Sequence, residues 1–327
     1  MKTVAVVFII SFAVTVGMLI WLIPVLRRAC FQQSILEEGP RWHLSKSGTP
    51  TMGGIAIVSG VIIALIIGSL VFQFSVLLLC GVFIYFSLIG FVDDYIKIVK
   101  KRNLGLNRIQ KLILQFIGAV ALAIYAANDV TIGTVLYVPF YHAAVDFHWL
   151  YYPFTVFAVL GVVNAVNFTD GLDGLASSVS AVVFLFFVFA AIKIGHSAGG
   201  AMSAACLGAC VGFLIFNHYP AKIFMGDTGA MALGGAVILL AVVMRLQIFI
   251  LLTGAIYVLE ALSVVLQINY FKYTRIKTGT GKRIFKMAPI HHHFEMSGMS
   301  ENHIVALFTL ITVITSIVAF IALLVTV

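Results

Sequence analysis

Ten apolar runs, each long enough to cross a bilayer and separated by mostly short polar connections, constrain this chain more than any other feature. They lie at about 4–26, 51–72, 76–92, 110–127, 151–168, 174–194, 198–216, 228–244, 248–270 and 304–326. A spanning helix needs about 20 apolar residues, so ten of them take roughly 200 residues and leave no room for a large soluble domain. Inside hydrocarbon each backbone N–H and C=O must be satisfied internally, and runs of this length select helices. The sequence therefore predicts an all-α polytopic integral membrane protein, a single transmembrane domain over 1–327 with ten transmembrane helices. Charged residues make up only 10% of the chain, against about 25% in a soluble domain, which excludes a water-soluble globule.

The first run is too long for a signal-peptide core and lacks a small-residue cleavage site, so it is expected to remain as the first span. Cys30, Cys80, Cys206 and Cys210 are too few and too scattered for a disulfide scaffold and read as packing residues. The outer connection at about 128–150 suggests a short hairpin lying on the membrane. His142, His148 and His196 read as interfacial residues without a chemical role.

Charge then orients the chain. Of the 20 Lys and Arg residues, all but Lys2, Lys193 and Arg245 fall in one alternating set of connections. The positive-inside rule makes that set cytoplasmic and puts both termini outside. The formal charge of +8 is thus concentrated on one face, suited to anionic lipid headgroups or an anionic substrate. No nucleic-acid partner is implied. Acidic residues have little say in topology, yet Glu37, Glu38, Asp93, Asp94, Asp170, Asp173, Asp227, Glu295 and Glu301 share that face. Acidic residues at span ends are costly and point to function.

Five polar clusters lie on this face. Ser45-Lys46-Ser47-Gly48-Thr49-Pro50-Thr51-Met52-Gly53-Gly54 leads into the second span, where helix N-terminal N–H groups favour an anion; an ordinary polar loop is the alternative. Gly90-Phe91-Val92-Asp93-Asp94-Tyr95-Ile96-Lys97 closes the third span. Its adjacent carboxylates point about 100° apart, so one can serve a nucleophile while the other organises a metal. Asn164, Asn167, Asp170 and Asp173 recur at a spacing of three, a polar ladder that needs a polar partner. It serves either a ligand or helix–helix glue. Gly171 and Gly174 favour an exposed turn bending over a ligand. Asn217 to Gly229 places Asp227 between Gly226 and Thr228-Gly229, a position for a hard carboxylate ligand to Mg²⁺. Phe224 offers a face for a planar base. Finally, the segment 271–303 carries His291-His292-His293, fit for proton transfer or phosphate contact rather than zinc. Gly279-Thr280-Gly281-Lys282 lacks the P-loop pattern.

Several Asp residues, a divalent cation, basic residues and an aromatic platform fit phosphoryl transfer, in which positioning and charge neutralisation dominate. A transporter would instead place polar groups near the midplane of several spans and show inverted repeats. Glu260 is the deepest acid, a lone residue expected to pair with another helix.

These motifs, in this order and over nearly the whole chain, resemble those of the bacterial phospho-N-acetylmuramoyl-pentapeptide transferase family, a branch of the polyprenyl-phosphate sugar-1-phosphate transferases. The resemblance implies transfer of phospho-N-acetylmuramoyl-pentapeptide from its UDP carrier (UDP-MurNAc-pentapeptide) to undecaprenyl phosphate, giving lipid I and UMP in peptidoglycan synthesis. It implies a Mg²⁺ requirement, a homodimer, and a multi-pass location in the bacterial plasma membrane with a cytoplasmic active site. A sister branch that uses UDP-N-acetylglucosamine is the nearest alternative. Carried over by motif, Asp227 matches the Mg²⁺ ligand and Asp93 the proposed base for the lipid phosphate, with Asp94 beside it as a second candidate; positioning of the nucleophile is the alternative role for Asp93. Lys46, Gly171, Leu172, Asp173 and Phe224 match a uridine pocket, and Thr51, Asn167, Asp170 and Asn217 match nearby polar contacts. His291 and His292 match positions near the sugar-peptide and phosphate, and Lys97 and Lys111 phosphate contacts.

Overall fold

The computed structural model describes residues 1–28, 46, 48–100 and 104–327. Cys30, Glu37, Glu38, Arg41, Ser45, Ser47, Lys101 and Arg102 lie outside the described residues. Among the described residues, ten helices are long and apolar enough to cross a membrane, and the chain is a polytopic all-α membrane protein. The helices are α1 (Lys2–Arg28), α2 (Gly54–Phe72), α3 (Leu77–Val99), α4 (Arg108–Asn128), α5 (Tyr151–Thr169), α6 (Leu175–Ile194), α7 (Ser197–Asn217), α8 (Gly226–Val243), the short α9 (Ile250–Thr253), α10 (Ala255–Thr278), the short α11 (Ile290–Glu295) and α12 (Glu301–Thr326).

Two boundaries differ from the sequence expectation in ways that matter. The third span runs on to Val99, so Asp93, Asp94 and Lys97 sit on its last turns rather than beyond it. The ninth span is interrupted at Gly254, which separates α9 from α10; glycine is a poor helix former and lets the chain change direction there. The outer connection folds as expected into a hairpin, with β1 (Val135–Tyr137) antiparallel to β2 (Ala144–Asp146).

Helix α8 is the axis of the bundle: each residue from Thr228 to Val243 is buried. Helices α3 and α5 flank it, while α1, α2 and α7 form an adjoining layer. In lipid no hydrophobic gain separates helix–helix from helix–lipid contact, so close packing of small residues decides association. The sequence supplies them. On α7, Gly199, Gly200, Ala201, Ser203, Ala204, Ala205, Gly208, Ala209 and Gly212 are buried, and Ser11 of α1 donates to the Ala205 carbonyl at 2.6 Å. Gly90 of α3 lies so close to the Asp227 carbonyl that any Cβ there would overlap it. This contact seats the acidic end of α3 against the start of α8.

Candidate active site

At that junction three carboxylates converge. One oxygen from each of Asp93, Asp94 and Asp227 lies within 4.8 Å of the others. The start of α8 has N–H groups without intrahelical partners, and Asp94 supplies acceptors: Oδ1 takes the Asp227 N–H at 3.1 Å, and Oδ2 takes the Thr228 N–H at 2.9 Å and hydroxyl at 2.7 Å. Asp93 points elsewhere. Its Oδ1 accepts the Leu106 N–H at 2.9 Å and its Oδ2 lies 2.6 Å from Lys97 Nζ.

Asp227 carries the heaviest polar load. Its Oδ2 accepts from Lys97 at 2.7 Å and Lys111 at 2.9 Å, and its Oδ1 from Asn167 Nδ2 at 2.7 Å. Four helices, α3, α4, α5 and α8, therefore meet on one carboxylate. Two ammonium groups on one oxygen are what a strong local anion field attracts, and a donor set of hard carboxylate oxygens suits a divalent cation such as Mg²⁺. Asp170 caps the end of α5. Burial, with the neighbouring charges of Asp227, Asp94 and Asp173, pushes its carboxyl up to about 8.

The second half of the site joins distant loops. Lys46 Nζ lies 2.8 Å from both Asp173 Oδ1 and Glu301 Oε2. Burial opposes the lysine charge, but the two carboxylates outweigh it and hold its pKa above the ordinary value. Asp173 Oδ2 accepts the Ala221 N–H at 2.9 Å. Asn217 accepts from Gly174 N–H at 3.1 Å and donates to the Ile223 carbonyl at 2.9 Å, so it clamps the loop after α5 to the loop before α8. Backbone pairing of Phe224 N–H with the Pro50 carbonyl at 2.8 Å and of Gly53 N–H with the Phe224 carbonyl at 2.9 Å joins the first motif to the fourth. Phe224 is half-buried and Thr51 is buried beside Gly226.

The loop after α10 folds back because Gln267 accepts the Ile284 and Phe285 N–H groups and donates to the Phe285 carbonyl. This brings α11 down onto α10. The three histidines take different partners: His291 pairs with Glu260 at 3.0 Å, His292 with Glu295 at 2.8 Å, and His293 accepts the Lys286 N–H at 3.1 Å. His291 is buried and its ring fills the space beside Gly171.

All five motifs thus meet at one end of the bundle. Asp93, Asp94, Lys97, Lys111, Asn167 and Asp227 form the acidic half; Lys46, Gly171, Leu172, Asp173, Asn217 and Phe224 form the other with His291. The expected exposed turn at Gly171 and Gly174 is instead mostly buried, with Leu172, Asp173 and Gly174 covered, because Asn217 and His291 pack over it. His196, expected to be idle, caps α7 by accepting the Gly199 N–H at 2.9 Å. Sequence reasoning missed Glu301 as a partner of Lys46. The only signal was an acid in the first turn of α12, which ordinarily reads as favourable to the helix dipole.

Comparison with known proteins gives the same direction. The glycosyl transferase family 4 model matches residues 74–245, and the phospho-N-acetylmuramoyl-pentapeptide-transferase signature 1 matches residues 46–58. A phospho-N-acetylmuramoyl-pentapeptide-transferase of Alkaliphilus metalliredigens is 45% identical over 326 residues, covering 96% of each chain. Those of Clostridium botulinum and Heliobacterium modesticaldum are each 45% identical, over 302 and 305 residues, covering 92% of this chain and 90% and 92% of their own. With identity of this depth along nearly the full length, the chain belongs to the phospho-N-acetylmuramoyl-pentapeptide-transferase family.

Proposed function

We propose that the chain transfers phospho-N-acetylmuramoyl-pentapeptide from UDP to undecaprenyl phosphate, forming lipid I and releasing UMP. The observation that carries this reading is the convergence of Asp93, Asp94, Asp227, Lys97 and Lys111 at one end of the spans. A lipid-linked phosphate and a water-soluble diphosphate meet at such an end. In the net transfer, the sugar-bearing phosphorus exchanges its bond to the UMP oxygen for a bond to a phosphate oxygen of the lipid, and UMP leaves.

Asp227, with Asp93 and Asp94 adjoining, would hold Mg²⁺. A divalent cation bound there supplies neutralisation of diphosphate charge. Lys97 and Lys111, steered by Asp93 and Asp227, contact phosphate oxygens. A phosphomonoester is largely ionised at neutral pH, so Asp93 positions the lipid phosphate through Lys97 rather than removing a proton. Lys46, Gly171, Leu172, Asp173 and Phe224 form the uridine pocket, with Thr51, Asn167, Asp170 and Asn217 shaping its walls; His291 and His292 border the sugar-phosphate. The bias of Lys and Arg supports a cytoplasmic site with both termini outside, in a bacterial plasma membrane. A homodimer belongs to the same reading through the family resemblance.

The test uses purified full-length chain in detergent with Mg²⁺, undecaprenyl phosphate, and either UDP-MurNAc-pentapeptide or UDP-N-acetylglucosamine, detecting UMP. Release with the muramoyl donor alone is expected. Release with neither donor removes the reading, and release with only the second moves the chain to the sister specificity.

A further inference from the structure

Glu260 has no place in the chemistry above, yet it is completely buried in α10 with Oε1 3.0 Å from His291 Nδ1. Both residues keep one buried atom without a hydrogen-bond partner, Glu260 Oε2 and His291 Nε2. An unpaired buried polar atom costs about 1–3 kcal/mol, so a protein retains one where a ligand completes it. Nε2 is the placed atom. It abuts Gly171, where any Cβ would overlap it, in the loop that also carries Asp170 and Asp173.

A phosphate oxygen accepts hydrogen bonds, so Nε2 meets one only as a donor. Two arrangements of the Glu260–His291 contact put a hydrogen there: a carboxylate accepting from Nδ1 of an imidazolium, or a carboxylic acid donating to Nδ1 of a neutral ring. We propose that Glu260 is a positioning residue that keeps Nε2 of His291 a hydrogen-bond donor aimed at a substrate phosphate oxygen on which charge builds during the transfer. The ring edge then sits against the loop without a competing acceptor, ready for an anion. This rests on the reading of His291 as a substrate contact.

Two experiments test it on the full-length chain. In histidine-labelled protein, ¹⁵N NMR of the His291 ring, identified by its loss in His291→Gln, is expected to show a protonated Nε2. A neutral ring with hydrogen on Nδ1 alone overturns the proposal, whether or not any variant folds. In kinetics of UMP release, Glu260→Gln keeps size and removes the carboxylate. Its kcat is expected to fall about 10²-fold, in the range for losing a preorganised donor, while KM for the UDP donor changes by less than about threefold. The double variant Glu260→Gln/His291→Gln is expected to be no slower than His291→Gln, as for residues acting as a unit. Wild-type kinetics in Glu260→Gln, a raised KM with unchanged kcat, or losses that multiply in the double variant each overturn it. Absence of UMP release from the wild-type chain would defeat the transferase reading instead, and leaves the NMR result standing on its own.

Discussion

Asp94 caps the helix that carries Asp227: its two oxygens accept the main-chain N–H groups of Asp227 and Thr228 at 3.1 and 2.9 Å, and the Thr228 hydroxyl at 2.7 Å. The neighbouring Asp93 instead faces Lys97 at 2.6 Å. Two adjacent acids thus divide the work, one holding the backbone of α8 and the other holding a cation.

Asp94→Asn removes the charge and turns an N–H₂ group toward N–H donors. Loss of a cap costs about 0.5–2 kcal/mol, so the unfolding midpoint in detergent is expected to fall. UMP release should drop by about tenfold as Asp227 shifts, with the Mg²⁺ concentration dependence kept in form. An unchanged midpoint would show that the cap is not needed.

Asp227→Asn has a different signature. The amide no longer supplies an anionic oxygen to Lys97 and Lys111, which stand 2.7 and 2.9 Å away, nor a hard ligand for a divalent cation. Turnover at saturating Mg²⁺ should fall by about 10²-fold or more. A variant with near-normal rate and normal Mg²⁺ response would remove Asp227 from the metal site.

These two roles also mark how far the sequence could be read. Length and apolarity revealed the spans, since a run of about 20 apolar residues has few structural fates. The grouping of the five motifs was legible through the alternation of connections. What stayed hidden were pairings between single polar residues in separate helices. Glu301 and Lys46 are 255 positions apart, and Gln115 and Asn164 are 49 apart. Neither pair has a periodicity to signal it. The division between Asp93 and Asp94 was hidden too, because it depends on which helix start lies opposite each side chain.

The raised carboxyl of Asp170 makes stability depend on pH. Its value of about 8 in the fold exceeds the ordinary 3.8, so the folded chain binds this proton more tightly than the unfolded chain. The stabilisation is fully present below the ordinary value and is lost as pH rises through about 8. Asp170→Asn, which stays uncharged, should gain in unfolding midpoint relative to wild type on going from about pH 6 to about pH 9, measured with EDTA present. A gap independent of pH would remove Asp170 as the source.

One turn deeper in the bundle, Gln115 of α4 and Asn164 of α5 exchange amide hydrogen bonds, Asn164 Nδ2 to Gln115 Oε1 at 2.6 Å and Gln115 Nε2 to Asn164 Oδ1 at 3.3 Å. Lys111 lies four residues before Gln115 and Asn167 three after Asn164, so both occupy the adjacent turn, and both reach Asp227. The amide pair therefore sets the axial register that brings a cation and an amide to the same carboxylate. Interhelical hydrogen bonds of this kind average only about 0.6 kcal/mol, so Gln115→Leu should cost little stability. A register shift of about 1 Å can still slow turnover by as much as about 10²-fold, and kcat of Gln115→Leu is expected to fall at least about tenfold. The exchanged pair Gln115→Asn with Asn164→Gln keeps the total side-chain length and both amides, and should restore most of the rate. An exchanged pair as slow as Gln115→Leu would show that register is not what these amides control.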